Sequence, residues 1–579
     1  ATGDALRISG GDGSFTYAGS ITNTATLAVN ILNKTGGTVT LSGQINPAAA
    51  ARGVSASGNN TGSNVITFSG AAQKISSGPA GGASLANKAG ATINFTGGGL
   101  AITTTTGAGF SATGGGTVAV TGANNTISST GGVALNVANT TIGSGNLVFR
   151  TISANGGSSG IVLNNTGATG RLQVTGSGTA GSGGTIQNTT SHGISLTGTT
   201  NPAFDRMSLQ SNGGSGVFGT GVVGFTLTNS TIATSGTGGG ANASNIDFFA
   251  DTAPGTENNL SGAVTITGNT LSAPAFHNVD IQNWSGTLSE LTLSNNILTN
   301  SSSQGGGIRL IAFGGAGNVA KITRATIANN QVTGTMQAPG LQVQCGNASA
   351  GGPLGECGTP GSGTNVVSIT GNQVRGTSAA ARIGTEGLLA ILNGRGQANF
   401  NVSGNDVRHT TGRAMAVSSF GQGTMSSTVS NNTIVANNTF ASAGLEIGAD
   451  STANMASNGT YTATVTGNNV SQSDGVGIFA IAGSSSHTLR VKLQNNTVAA
   501  PLGGVRLGIR VDSGRTSGNA TVCLNISGNT SAGSGGSQGI GLRKDGTNPA
   551  LDVFGVNGMA ATSSPGVESY VAGLNPAGG

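Results

Sequence analysis

The chain has 579 residues, of which only 7% are charged and 105 are glycine, and its net charge is +5 at neutral pH. There is no Gly-X-Y triplet, which excludes collagen, and no run of Lys or Arg that would make a nucleic-acid face. Aromatics are 4% with a single Trp, Trp284, too few for base-stacking platforms or for the girdles of an outer-membrane barrel. No stretch approaches the roughly 18 apolar residues that a transmembrane helix needs. The opening Ala-Thr-Gly-Asp has no signal-peptide character, and both ends read as cut from something longer.

In chain order, one phrase recurs: apolar–x–apolar–Ser/Thr–Gly/Asn. It stands at Leu6-Arg7-Ile8-Ser9-Gly10 and Val39-Thr40-Leu41-Ser42-Gly43, then at 66–70, 93–97, 118–122, 172–176, 264–268, 291–295, 400–404, 465–467 and 524–528. Gly43, Gly70 and Gly97 are 27 residues apart, as are Gly268 and Asn295, and Gly404 and Asn431. A fixed period of this size marks a repeat architecture. Alternating apolar and polar residues, many of them β-branched, predict a strand, and Gly or Asn ends it too soon for a helix. The expected unit is a strand–turn–strand coil that buries its apolar side only by stacking on the next. The fold class is therefore all-β, a parallel β-helix (β-solenoid) of about 18 coils, roughly 85 Å long at about 4.8 Å per coil.

Residues 1–200 carry tight Thr/Gly-rich coils, 200–260 are irregular, and 260–545 carry coils with longer loops; 1–545 is one β-helix and 546–579 a cap or a linker. In the later coils Asn follows the phrase at Asn269, Asn296, Asn330, Asn372, Asn405, Asn432, Asn468, Asn496 and Asn529. These positions are expected to form a ladder of side-chain amides, as in stacked parallel strands, with Asn tolerating the left-handed backbone region at the turn. A further strand is expected after a Gly-rich bend, at Gly307-Ile308-Arg309-Leu310, Gly444-Leu445-Glu446-Ile447 and Gly504-Val505-Arg506-Leu507.

Cys345 and Cys357 bracket a Gly/Pro-containing loop in the longest coil. The leading reading is a disulfide pinning that loop, which implies an oxidising compartment; the alternative is two isolated thiols, since nothing nearby completes a zinc site. Cys523 is either a buried small hydrophobe or half of a bridge to a partner outside this chain.

Catalysis on such a scaffold needs converging carboxylates. The densest charged group is Arg375, Arg382, Glu386, Arg395, Asp406, Arg408, His409 and Arg413, within about one and a half coils. Its functional reading is a sugar-acid or anion surface; its structural reading is a solvated face with ion pairs. A second group is His277, Asp280, Trp284 and Glu290, with Trp284 as a sugar-stacking platform or as a lid on the core. No catalytic residue, cofactor or metal ligand is assigned. Calcium is the weaker alternative, because the Gly10-Gly11-Asp12-Gly13 turn does not repeat and a calcium ladder needs a carboxylate in every coil.

The Asn-turn coils, Gly-rich bends and low charge resemble the right-handed parallel β-helices of large bacterial surface and secreted proteins: autotransporter passengers, filamentous-haemagglutinin-like adhesins and giant β-strand repeat proteins, which implies a right-handed coil here. The strongest matches are 35–40, 134–142 and 523–529. The resemblance implies a non-enzymatic, extracellular or cell-surface protein: a stalk, adhesin or fibre subunit stacking end to end with itself or binding glycans. The alternative is a polysaccharide-binding or polysaccharide-cleaving β-helix.

Overall fold

Alternation decides which side chains enter the core. In the strand Gly37–Leu41, Val39 and Leu41 are buried while Thr38 is exposed and Thr40 half-buried, as a period of two requires. The same pattern runs through the chain, and the computed structural model is all-β: strand accounts for 54% of residues and helix for 2%. It describes residues 3–575 except 23–25, 48–51, 59–62, 240–242, 251–255, 315–316, 348–353, 451–457, 484–485, 515–518, 546–548 and 556–563.

Each full coil carries three strands, not the two expected. Arg52–Ser57 lies on a first face, Asn64–Phe68 on a second and Lys74–Ser76 on a third, before Ala83–Ala86 begins the next coil. Pairing is parallel and from coil to coil, with Val54 opposite Ala83, Ile66 opposite Ile93 and Ile75 opposite Ile102. This is the hydrogen-bonding pattern of a parallel β-helix. The third strand is missed from sequence because it is short: the ladder Asn, a polar residue and one apolar residue leave no room for visible alternation. Among the described residues the first-face strands number 19 over the whole chain, against the eighteen or so coils expected.

The recurring phrase is the second-face strand in every copy but the first, since Leu6–Ser9 pairs on the first face with Leu27–Leu32. Its apolar positions form unbroken inward rows, such as Val39–Ile66–Ile93–Val118 and Leu293–Ile327–Ile369–Val402–Val429–Val465–Leu493–Ile526. The phrase ends where the backbone turns from the second face to the third. Gly268, Asn295, Asn329, Gly371, Gly404, Asn431, Gly467, Asn495 and Gly528 sit there with φ between 54° and 70°, the left-handed region open to Gly and Asn. The ladder Asn is the next residue in each case and is not left-handed, contrary to the sequence expectation. Its role is hydrogen bonding alone.

Two compact units form, Ala1–Phe248 with Ala263–Ala275, and Phe249–Gly262 with Phe276–Gly579. In the first unit the core includes stacked rings: Phe68 and Phe95 are register partners with centroids 4.5 Å apart, close to the strand spacing itself. Lys88 is wholly enclosed at the corner between first and second faces, its ammonium donating to the Gly115 carbonyl and to Thr140 Oγ1. In the second unit the Cys345–Cys357 disulfide joins the end of the first-face strand Leu341–Cys345 to the second-face strand Gly355–Cys357, with Cα atoms 5.9 Å apart. Both half-cystines are fully buried, so the bridge is part of the core and closes the loop as well. Part of that loop lies outside the described residues.

Two further expectations are corrected. The first-face strand predicted at 504–507 is Ile509–Ser513; Arg506 makes only an isolated antiparallel bridge to Ser534. Cys523 is half-buried on the outward side of the strand Thr521–Ser527, 3.9 Å from Arg490 Nη1, and is not a core residue. Of 546–579, residues 549–555 and 564–575 are described. The helix α1, Ser564–Leu574, lies against the last second-face strands: the Leu574 carbonyl accepts from the Gly528 N–H at 2.8 Å, and Asn575 takes the next position in the Asn ladder.

Candidate ligand groove on the second unit

The ladder gives the second unit its rigid frame. Asn330 donates from its backbone N–H (3.0 Å) and from Nδ2 (2.9 Å) to Asn372 Oδ1, and Nδ2 also reaches back 2.9 Å to the Leu293 carbonyl. Each amide thus ties together three successive coils. The pattern repeats through Asn372, Asn405, Asn432, Asn468 and Asn496 to Asn529, which donates twice to Asn575 Oδ1. In the first unit Asn269 Oδ1 accepts from the Ser230 N–H, and the same position earlier is held by Asn125 and Gln73, whose side chains bind the backbones of neighbouring coils. The sequence reading missed these earlier members because their chemistry is kept while their residue type varies.

On this frame the charged group predicted at 375–413 separates into four places. Asp406 and Arg408 lie on the third-face strand Asp406–Arg408, with Arg375 one coil earlier in register with Arg408. Arg408 grips Asp406 through Nε at 2.6 Å and Nη2 at 2.9 Å, and Arg375 Nη2 adds 2.5 Å. Partial burial alone would raise the Asp406 carboxyl, but the hydrogen bonds and charges of Arg408 and Arg375 hold it below its ordinary value. His409 follows with a left-handed φ of 56° and ends the strand. Arg395 is exposed at the turn after the first-face strand Leu388–Gly394 and donates to Gln422 at 3.0 Å. Arg382 is half-buried in the loop before that strand.

Glu386 and Arg413 do come together, and they belong to a groove. Arg413 Nη2 donates to Glu386 at 2.9 Å, and Nη1 to Glu446 at 2.5 Å. Burial would lower the Arg413 guanidinium, but Glu446 and Glu386 more than offset it and raise it further. Glu446 heads an outward row on the first face: Glu446, Phe479 and Arg510 are successive register partners. Arg510 lies over the Phe479 ring at 5.2 Å and is held by Asp512 at 2.6 Å and 2.9 Å. Phe440, on the loop before Leu445–Asp450, is 86% exposed and closes the opposite rim. The groove has a volume of about 380 Å³ and contains none of Arg382, Arg395, Asp406, Arg408 or His409.

Glu446, Phe479, Arg510 and Phe440 were missed from sequence. A signal existed: each of the first three follows a Gly–apolar pair, at Gly444-Leu445, Gly477-Ile478 and Gly508-Ile509. Reading the last of these at Gly504 broke the alignment.

The second predicted group is structural. Trp284 lies between Phe249 and Phe313, with ring centroids 5.8 Å and 5.0 Å away, so its faces are not open to a sugar. Asp280 is fully buried and held by Arg309 at 2.6 Å and 2.9 Å, while Glu290 pairs with Arg324 at 2.8 Å. His277 Nδ1 accepts from the Gly306 N–H at 2.8 Å; burial, and then the Arg309 charge, push its pKa down to about 4. No three His, Cys, Asp or Glu side chains gather to hold a metal ion among the described residues, and no helix there is long and apolar enough to cross a membrane.

The fold and frame define the class, a parallel β-helix repeat protein. No protein-family model, curated protein or solved structure matches the chain.

Proposed function

We propose that this chain is an exported bacterial structural or adhesive protein: a stalk, adhesin or extracellular fibre subunit whose β-helix displays lateral loops. The observation that carries this reading is the unbroken amide ladder from Asn296 to Asn575, which locks coil to coil at buried positions without a catalytic group at its centre. The fully buried disulfide supports export to an oxidising compartment. The non-enzymatic reading is supported by the groove itself, where Glu386 and Glu446 are both engaged by Arg413, leaving no separate acid and base. End-to-end self-assembly remains part of the proposal, with one constraint: stacking on the last coil requires α1 to leave Gly528 and Asn529. Electron microscopy of the purified chain, and of material shed from its native cells, tests the reading. Fibres with a regular subunit repeat support a fibre subunit and single short rods a stalk or adhesin, whereas compact globular particles defeat both.

A further inference from the structure

We infer that the groove of Phe440, Phe479, Arg413, Glu386, Glu446 and Arg510 is a binding site for an uncharged saccharide of one or two rings. The inference rests on the adhesive reading only in taking the ligand to be extracellular.

The rim of the groove is held in a costly backbone conformation. Phe440 has φ of 59° and Ala441 a φ of 54°, a region that costs a side-chain-bearing residue about 1–2 kcal/mol. The turn is held there: the Ala441 N–H donates to Asp474 Oδ2 at 2.7 Å, and Asn438 Nδ2 donates to the Ser442 and Ala443 carbonyls at 3.0 Å and 2.8 Å. The result is a large aromatic ring left 86% exposed on a braced turn. That arrangement adds nothing to the core, and it places an apolar ring among the residues lining the groove.

The charges around the groove pair with one another. Arg413 is held by Glu386 and Glu446, and Asp512 by Arg510 and Arg543, so three guanidiniums meet three carboxylates. An ionic ligand would have to break these pairs, whereas a neutral one leaves them intact. Ionised carboxylates are acceptors only and accept more than one hydrogen bond, so Glu386 and Glu446 suit a donor-rich ligand such as a set of sugar hydroxyls. Phe440 then stacks on the apolar C–H face of the ring. A volume of about 380 Å³ falls at the small end of the roughly 300–1,000 Å³ of small-molecule sites.

The experiment uses the full chain with uncharged probes: oligomers of α- and β-linked glucose, of mannose and of N-acetylglucosamine. Binding is read by saturation-transfer NMR and calorimetry. At least one probe is expected to bind, with Phe440→Gly weakening it at least ten-fold and Glu446→Gln several-fold. Phe440→Gly relieves the left-handed strain, so its melting temperature should equal or exceed that of the parent, and lost binding cannot then be lost folding. Absence of binding by every probe at millimolar concentration overturns the inference. So does a Phe440→Gly variant with unchanged affinity, or displacement of the sugar by spermine or a sulfated oligosaccharide at lower concentration. Any of these leaves the structural reading standing, because fibre or rod morphology is measured separately.

Discussion

Replacing Asn405 with Ala removes one rung of the ladder at a position with no solvent exposure. Its Oδ1 accepts from the Asn372 backbone N–H and from Asn372 Nδ2, both at 3.0 Å. Its Nδ2 donates to the Ile369 carbonyl at 2.8 Å and to Asn432 Oδ1 at 3.0 Å. Ala leaves at least the Asn372 N–H, one Asn372 amide hydrogen and the Ile369 carbonyl buried without their partner. At about 1–3 kcal/mol for each orphaned group, less the relief of no longer burying the Asn405 amide, the expected loss is about 3–5 kcal/mol. Coils interact mainly with their neighbours, so unfolding need not be a single transition. The assay is therefore native-state hydrogen exchange. Amides in the coils around Asn372 and Asn432 should exchange at least a hundred-fold faster, while those near Asn496 keep their protection. Equal protection in variant and parent would show that the ladder contributes order without stability.

The neighbouring turn tests the backbone separately: Gly404 has φ of 64° and nothing nearer than the Gly371 nitrogen, 3.9 Å from where a Cβ would go, so Gly404→Ala should cost about 1–2 kcal/mol in urea denaturation and Gly404→Asn clearly less. Burial lowers the Lys88 pKa from 10.5 to about 8, so between these values the unfolded chain binds more protons than the folded one. Stability should then rise by up to about 3 kcal/mol as pH climbs from about 8 to 10.5, a slope absent in Lys88→Met. His277 reports the same sign on the acid side, since its folded pKa of about 4 lies below the ordinary imidazole value of 6.5. Stability should fall as pH drops through that window, read as the shift in thermal midpoint. Converting Cys345 and Cys357 together to Ala should cost about 3 kcal/mol from loop entropy, measured against the parent without reductant.

How far the site was legible depended on alignment. Glu386 and Arg413 were singled out because they lie close in sequence, and they do meet. Asp406 and Arg408 were grouped with them for the same reason, yet the third-face strand carries them to another side of the coil. Arg395 went elsewhere because it occupies a corner between two faces. Proximity along the chain is a poor guide in a coil whose three faces point in different directions, whereas equivalent positions one coil apart are true neighbours. Phe479 and Arg510 meet across 31 residues in this way.

What the sequence by itself determined is local to one coil. Val39 and Leu41 point inward because a strand alternates, and Gly404 turns the chain because a left-handed φ excludes most side chains. Asn at the following position binds its like one coil away because stacked coils bring identical positions to strand spacing. None of this depends on loop length. The tertiary structure alone decided which outward side chains share a groove. Loops of unequal length shift the chain distance between neighbours, so that Arg413 meets Glu386 at 27 residues and Glu446 at 33. Phe440 lines the same groove because a braced loop carries it there, and no periodicity in the sequence announces that placement.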